Sequence, residues 1–211
     1  MPWLSAPFLI DTIYTAEEGN QVAKKKVNPR RIPLSKKAIN KDAIIEEAMQ
    51  DDLTQAWLLV ASALVDRGYE NISELSDAVN RFVETGSSQD AEIQNMQGKA
   101  ARRLKEHRDS EMRRAREIIG IPDMHLNPDM IKSPVELETF KRKVKRVALY
   151  TALSVIYLGL EATGQFEMEE LKRIFLSADL TMAEIESGVN SFEQIERELL
   201  NRIVKIELAK A

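Results

Sequence analysis

The chain has 211 residues, of which 44% are hydrophobic and 30% are charged, which is enough for one domain or two small ones around a hydrophobic core. It contains no cysteine, and this excludes a disulfide framework, a thiolate metal site and a cysteine nucleophile. The formal net charge of −4 argues against a chain that is basic throughout and binds phosphate with its whole surface.

Residues 1–21 open with an apolar run that no basic residue precedes and that Asp11 ends. A secretory signal needs a positive start and a longer apolar stretch, so we expect a cytoplasmic protein.

The segment Glu17–Gly19 can be encoded by a ribosome-binding sequence, and Val22 by a GTG start codon. We hypothesise that translation begins at Val22 and that residues 1–21 are an upstream reading-frame artefact; the alternative is a genuine apolar segment that docks on the body. The intact mass of the protein made from its native gene distinguishes the two.

The basic arm, residues 22–41, carries eight cations and no acid. Residues 1–21 carry a net charge of −3 and residues 42–211 a net charge of −9, so a +8 arm precedes an acidic body. Pro29 and Pro33 favour extended backbone in the arm. Such an arm suits the phosphates of nucleic acid, an acidic protein surface or the acidic body itself, and a solvated tail is the remaining interpretation. The candidate binding residues of the arm are Lys24, Lys25, Lys26, Arg30, Arg31, Lys36, Lys37 and Lys41.

Residues 42–119 form the first predicted helical half. Between residues 43 and 64 the apolar side chains recur every three or four positions, which predicts an amphipathic helix that ends at Gly68. Ser73 is the expected cap of a second helix, and we expect that helix to end near Gly86.

The third predicted helix begins after the polar stretch GSSQD and ends at Ile119, with Gly98 as a site for a kink. A helical wheel gives it one mainly apolar face, made of Ile93, Met96, Ala100, Leu104, His107, Ala115 and Ile118. Arginines and lysines lie opposite, but acids are interleaved with them. Arg102 and Glu106, for example, are four residues apart, which is the spacing of surface ion pairs. We therefore expect a solvated, self-paired face rather than a phosphate-binding one.

Residues 120–133 are the predicted loop between the halves, because this proline-rich stretch has no periodicity. The segment Ser133–Glu136 combines a capping box with proline at the first helical position, and the helix that it starts is expected to reach Gly164. Its apolar run, residues 147–160, is too short to cross a bilayer and predicts a buried helix.

Residues 134–211 form the second predicted half. After the long helix we expect short helices near 171–178 and 183–187 and a C-terminal helix, with capping boxes at 181–184 and 191–194. No segment alternates with a period of two for long enough to predict a strand. The expected fold is all-α, a bundle of about seven helices with an extended basic N-terminal arm.

A faint repeat relates the two halves at a shift of 96 residues. In both copies an apolar helix ends at a glycine and a shorter helix follows. Two similar helical halves are one explanation, and a shared helix–glycine–helix pattern without duplication is the other. The sequence leaves open whether the halves form one core or two. The aligned pairs include Leu64 with Leu160, Gly68 with Gly164, Glu74 with Glu170 and Leu75 with Leu171.

The run KRKVKR, residues 141–146, is a second basic segment without an acid. It supplies secondary candidates for an anion contact, namely Lys141, Arg142, Lys143, Lys145 and Arg146.

Residues 171–200 have the outline of a helix-turn-helix, yet they offer mainly glutamates where a recognition helix needs Arg, Lys, Asn or Gln. We do not expect this segment to read DNA.

Neither of the two histidines lies in a pattern typical of catalysis or metal binding. His107 falls on the apolar face of the third helix, so we expect a core histidine there. His125 lies in the predicted loop near Asp123 and Asp129, which is a common surface composition. The chain has no glycine-rich phosphate loop, nucleophile elbow or repeated Glu-x-x-His motif. We therefore expect no catalytic residue, metal or cofactor.

The string AKKKVNPRRIPLSKK, followed by a helix that contains QAW and ends in DRGY, is similar to small helical proteins encoded by phages and prophages of Gram-positive bacteria. Those proteins begin with a basic run and a Pro-Arg-Arg-x-Pro core, followed by a helix with Ala-Trp near its middle. The likeness covers residues 22–83 and, more loosely, 168–208. It implies a mobile-element origin, and because that group has no established activity it transfers no functional residue.

These observations favour a non-enzymatic phage or prophage protein whose basic arm engages nucleic acid or another polyanion. The first alternative is a module that binds or inhibits a host protein through its helical surface. A histidine-dependent enzyme is the second and least favoured alternative. We expect no membrane association, and the sequence leaves the oligomeric state open.

Overall fold

The computed structural model describes residues 52–121 and 133–210, and within these ranges it is an all-α helical bundle without strands. The predicted fold class is confirmed. The basic arm lies outside the described residues, as do residues 43–51 of the first predicted helix. Six helices lie in the described ranges: α1, Asp52–Asp66; α2, Ile72–Asn95; α3, Lys99–Ile118; α4, Pro134–Ala162; α5, Met168–Glu186; and α6, Phe192–Lys210.

Two central helices, α1 and the C-terminal half of α4, organise the bundle. In α1 the side chains of Leu59, Val60 and Leu64 are fully buried, and in α4 those of Ile156 and Leu160 are as well. The α1 helix contacts α2, α4, α5 and α6, and α4 contacts α1, α2, α3 and α5. One hydrophobic cluster therefore contains residues from both predicted halves, and the halves share a single core.

The α2 helix continues through the GSSQD stretch to Asn95, so the predicted end near Gly86 is wrong. The hydroxyls of Thr85, Ser87 and Ser88 each donate to the carbonyl oxygen four residues earlier, at 2.8, 3.0 and 3.0 Å, and so stay compatible with the helix. The chain breaks instead at Gly98, whose φ of 85° is a left-handed conformation. Gly98 precedes α3 and is not a kink within it.

The two short helices predicted near 171–178 and 183–187 are one continuous helix, α5. The expected cap at Thr181 is wrong, because its hydroxyl donates to the carbonyl of Ser177 at 3.1 Å within the helix. Met182 is 3% exposed, so the buried face of α5 continues past Thr181. Within the described ranges, this fusion accounts for six helices where the sequence predicted seven.

Other caps agree with the sequence only in part. The Ser133 hydroxyl accepts from the Glu136 amide at 3.2 Å, and Ser191 accepts from the Gln194 amide at 3.3 Å, as both capping boxes predict. The predicted cap of α2 at Ser73 is wrong. Asn71 holds that position, without a side-chain cap bond.

The turns after α1 and α4 match each other at the shift of 96 residues. Gly68 and Gly164 both have positive φ, at 84° and 66°. Their amides donate to Val65 and Glu161, three residues earlier, at 3.0 Å in both turns. The helix contacts match as well, since α1 packs on α5 and α6 while α4 packs on α2 and α3. The first helix of each half therefore packs on the second and third helices of the other half.

We expect Leu64→Ala to lower the free energy of unfolding by about 2–5 kcal/mol, because it opens a cavity beside α4 in a fully buried position. Leu180→Ala is the matched control, since the Leu180 side chain is 61% exposed and its truncation should change the free energy by less than about 0.5 kcal/mol. Chemical denaturation measures both. Equal losses in the two variants would contradict the central position of α1.

Candidate polyanion-binding surface

The second basic segment, residues 141–146, lies on the N-terminal half of α4. Phe140 and Val144, at 6% and 0% exposure, define the buried side of this stretch. Because helical positions between them point elsewhere, all five cations of the segment are exposed. The structure therefore brings these five candidate residues together on one accessible stretch of helix, whereas the eight candidates in the basic arm lie outside the described residues.

Two of the five cations are engaged in contacts. Lys141 pairs with Glu138 at 3.4 Å, and Arg146 reaches Glu186 of α5 at 3.4 Å. The Arg146 guanidinium also donates to the Tyr150 hydroxyl at 3.4 Å and lies 5.6 Å from the centre of that ring. The hydrogen bond to Tyr150 raises the pKa of Arg146. Arg146 thus links α4 to α5. Because its guanidinium is engaged in these contacts, it is less available to an external anion than an unpaired cation.

Arg142, Lys143 and Lys145 are the cations that remain, and we call them the α4 cluster. All three are exposed, and none forms an ion pair with a residue in 52–121 or 133–210. Arg142 and Lys145 are neighbours on the helix surface because they are three residues apart. Lys143 lies on the flank of the same exposed surface. The α4 cluster is the part of the predicted surface that is available to an external anion.

The arginine-rich helix α3 differs from its predicted orientation. His107 is exposed, and so are Leu104 and Met96, at 45% and 40%, although all three were placed on the buried face. The buried residues are Met112 and Ala115, in the C-terminal half of the helix. Residues 99–107 are mostly exposed, so their apolar pattern does not form a buried face. The predicted core histidine is therefore wrong.

The self-pairing expected on the charged face of α3 is present between Arg102 and Glu106. Arg102 Nε donates to Glu106 Oε1 at 2.9 Å, with both side chains exposed. Arg113 Nε instead donates to the main-chain oxygen of Asp109 at 3.3 Å. Such exposed contacts contribute only about 0.2–0.5 kcal/mol each.

The sequence did not single out Arg114, and it placed Arg116 among the outward-facing cations, yet both contact α4. Arg114 binds both carboxylate oxygens of Glu161, at 2.8 and 2.6 Å, and Arg116 donates to Thr151 at 3.0 Å. Tyr157 also donates to Glu161, at 3.3 Å. The bond from Arg114 lowers the pKa of Glu161, and burial raises that of Tyr157. The only local signal was the spacing of Glu111 and Arg114, which pair at 2.9 Å.

The α5 and α6 helices present acids where a DNA-reading helix would need donors. Glu193, Glu196 and Glu198 of α6 are all exposed, as are Glu184 and Glu186 at the end of α5. A phosphate backbone approaching this side would meet carboxylates.

Comparisons with known proteins do not identify a function for this surface. No protein-family model matches the chain, and neither does a curated protein or a solved structure. Within residues 52–121 and 133–210, no three histidines and acids come together to hold a metal ion, while His125 lies outside these ranges. None of the described helices combines the length and the apolar character needed to cross a membrane.

The contact between Arg114 and Glu161 makes stability depend on pH. Because the pKa of Glu161 is lowered in the folded state, its carboxylate stabilises the fold fully at a pH above the unfolded-state pKa of about 4.3. This stabilisation is lost as the pH falls through the folded-state pKa of Glu161. The two side chains are 38% and 33% exposed, so screening limits the effect to about 1 kcal/mol. We expect Glu161→Gln to be less stable than the parent at pH 7 and equally stable well below pH 4. Urea denaturation across this pH range measures the difference. In Glu198→Gln, where the carboxylate is exposed, the difference from the parent should stay near zero throughout.

Proposed function

We propose that the protein is a non-enzymatic phage or prophage protein that binds nucleic acid electrostatically, through the basic arm and the α4 cluster. The observation that carries the proposal is the exposure of Arg142, Lys143 and Lys145 without a neutralising acid, in a body whose net charge is negative. The proposal places the protein in the cytoplasm. It assigns no catalytic residue, cofactor or metal.

Binding of this kind relies on the release of counterions from the phosphates. Each phosphate that a cation neutralises adds about 0.9 to the slope of log K against log salt on duplex DNA. The three cations of the α4 cluster should therefore contribute about two to three units of slope, and the eight of the basic arm the larger share. The acidic exposed faces of α5 and α6 would orient the complex by repulsion, so that the basic regions face the DNA.

We expect the variant with Arg142, Lys143 and Lys145 changed to Gln to bind a duplex of about 25 base pairs more weakly than the parent, with a slope lower by about two to three units. Fluorescence anisotropy at several salt concentrations measures affinity and slope. The control carries Arg173→Gln, Arg197→Gln and Lys205→Gln, which remove three exposed cations from the acid-rich helices α5 and α6. The control should keep the slope of the parent within one unit.

The proposal fails if the full chain does not bind the duplex at 50 mM salt or below, or if the two triple variants lose the same slope. Circular dichroism of both variants verifies that the helices are retained. Heparin in place of DNA separates binding to any polyanion from binding to nucleic acid. Equal affinity for both would reduce the proposal to polyanion binding.

A second candidate function is a module that binds or inhibits a host protein. The observation that favours it is the set of large apolar side chains on outer helix faces. Leu176 and Leu180, one turn apart on α5, are 59% and 61% exposed. On α6, Leu200, Val204 and Leu208 repeat every four residues and are more than half exposed. Contiguous apolar surface of this kind is typical of interaction sites.

A further inference from the structure

Contacts between side chains fix the direction of α5 relative to α1. Tyr69, in the turn after α1, donates its hydroxyl to Glu170 near the start of α5. Arg67 Nη2 donates to the main-chain oxygen of Arg173 at 3.2 Å. Because the residue numbers fall on the α1 side while they rise on the α5 side, the two helices are antiparallel. The C-terminal end of α5 therefore lies beside the beginning of α1.

The α5 helix is antiparallel to α4 as well. The ring centres of Tyr157 and Phe175 are 5.5 Å apart, and Arg146 pairs with Glu186 at 3.4 Å. Since α5 runs against both helices, α1 and α4 are parallel to each other, and the beginning of α1 lies at the same end of the bundle as Arg146.

The same contacts fix the register between α1 and α4. Glu186 lies 16 residues after Glu170. Because helices rise equally per residue, Arg146 is level with the residue 16 positions before Tyr69, which is Leu53. This offset agrees within one helical turn with the shift of 96 residues that relates the two halves. Equivalent positions of the repeat therefore lie side by side along α1 and α4.

The surface of α4 that faces α1 becomes basic where the described part of α1 begins. The contacts of α4 with α5, α3 and α2 involve Arg146, Thr151 and Gly159. The remaining side faces α1, and its buried residues are Leu149, Ile156 and Leu160. Continued towards the N-terminus in steps of four and three, this stripe reaches Lys145 and Arg142, two members of the α4 cluster. Both side chains are exposed.

The chain that precedes α1 is strongly acidic. Residues 42–51 contain no cation and have a net charge of −4, and the sequence predicts that the helix of α1 starts within them. At the shift of 96 residues, Glu46 corresponds to Arg142 and Met49 to Lys145. The apolar pairs of the repeat thus give way to a pair of opposite charges. The acids of the segment are Asp42, Glu46, Glu47 and Asp51.

We propose that residues 42–51 lie along the N-terminal half of α4 and pair Glu46 with Arg142, so that an acidic segment of this chain occupies the α4 cluster in place of phosphate. A carboxylate facing a guanidinium forms charge-assisted hydrogen bonds. The basic arm is excluded as the occupant by its like charge. Because the pair is at the surface, it is weak enough for nucleic acid to displace. This regulatory consequence rests on the proposed function, whereas the pairing itself does not.

Charge reversal tests the pair without DNA. We expect Glu46→Arg and Arg142→Glu each to lower the melting temperature by about 1–3 °C, since each places like charges opposite one another. The two combined should recover at least half of the summed loss, because the pair is restored with its charges exchanged. Glu47→Arg combined with Arg142→Glu is the control and should show no recovery, since Glu47 is on another face of the predicted helix.

The absence of cysteine in the chain allows a second test of the same placement. The variant with Met49→Cys and Lys145→Cys carries its two thiols at equivalent positions, which a disulfide can join when the Cα atoms lie within about 7 Å. We expect this disulfide to form under mild oxidation. The control with Glu47→Cys and Lys145→Cys should form it roughly tenfold more slowly, because its first thiol points away from α4. Mass spectrometry after alkylation measures both.

The effect on nucleic acid is measured with the duplex used above. Glu46→Gln removes a competitor of phosphate, so we expect it to bind about threefold more tightly than Glu47→Gln, which has the same net charge. Equal affinities of these two variants would overturn the competition. No recovery in the charge exchange, together with equal rates for the two cysteine pairs, would overturn the docked segment even where the duplex binds. Recovery and cross-linking in a chain that does not bind DNA would support the docked segment and contradict the proposed function alone.

Discussion

The burial of a wide apolar surface of α1 is the constraint on which the rest of this structure depends. Its buried residues are not confined to one narrow stripe, since Leu59, Val60, Ala61, Ala63 and Leu64 are all 3% exposed or less. A helix with so wide an apolar surface must be covered by several neighbours. It packs most extensively on α4, α5 and α6, which belong to the C-terminal part of the chain, so the two halves predicted from the sequence cannot form separate cores. The C-terminal half of α4 is under the same constraint, and helices from both halves cover it.

The packing around α1 and α4 also determines which cations remain accessible to an external anion. A charged group that approaches the central helices loses hydration and needs a partner there. Arg114 and Arg116 are the cations of α3 that reach α4, and they are matched by Glu161 and Thr151. Arg146 lies where α5 approaches α4 and is matched by Glu186. The α4 cluster lies within about one turn before Arg146 and faces away from α5, so its exposed charges have no ion-pair partner in the described ranges. Its availability for phosphate therefore follows from the position of α5 on α4.

The sequence predicted the helices that supply most of the core and was wrong at several helix ends and about the orientation of α3. Three-and-four spacing located α1 and α4, and Gly68 and Gly164 marked their ends, because these signals coincide with buried faces. The same spacing assigned His107 to a buried face, although the first half of α3 is mostly exposed. Local signals at Gly86 and Thr181 suggested helix ends that α2 and α5 pass through. Of the basic surface, the sequence predicted all five cations of residues 141–146. It could not predict that Arg146 is paired, because Glu186 is 40 residues away and meets it only through the packing of α5 on α4.

The two halves show how a repeated backbone can serve two purposes. At equivalent turns, one half has Arg67 and Tyr69 and the other has Thr163 and Gln165. The first pair satisfies Glu170 and the main chain of α5 from within, so that contact stabilises the fold. The second pair bonds elsewhere, since Thr163 donates to the Leu160 carbonyl and Gln165 accepts from Asn71. Both turns are fixed by the same glycine geometry and the same packing of a first helix on the other half. The difference between the two turns therefore lies in their side chains, and the contacts of such a bundle can change by substitution at the turns without disturbing the core.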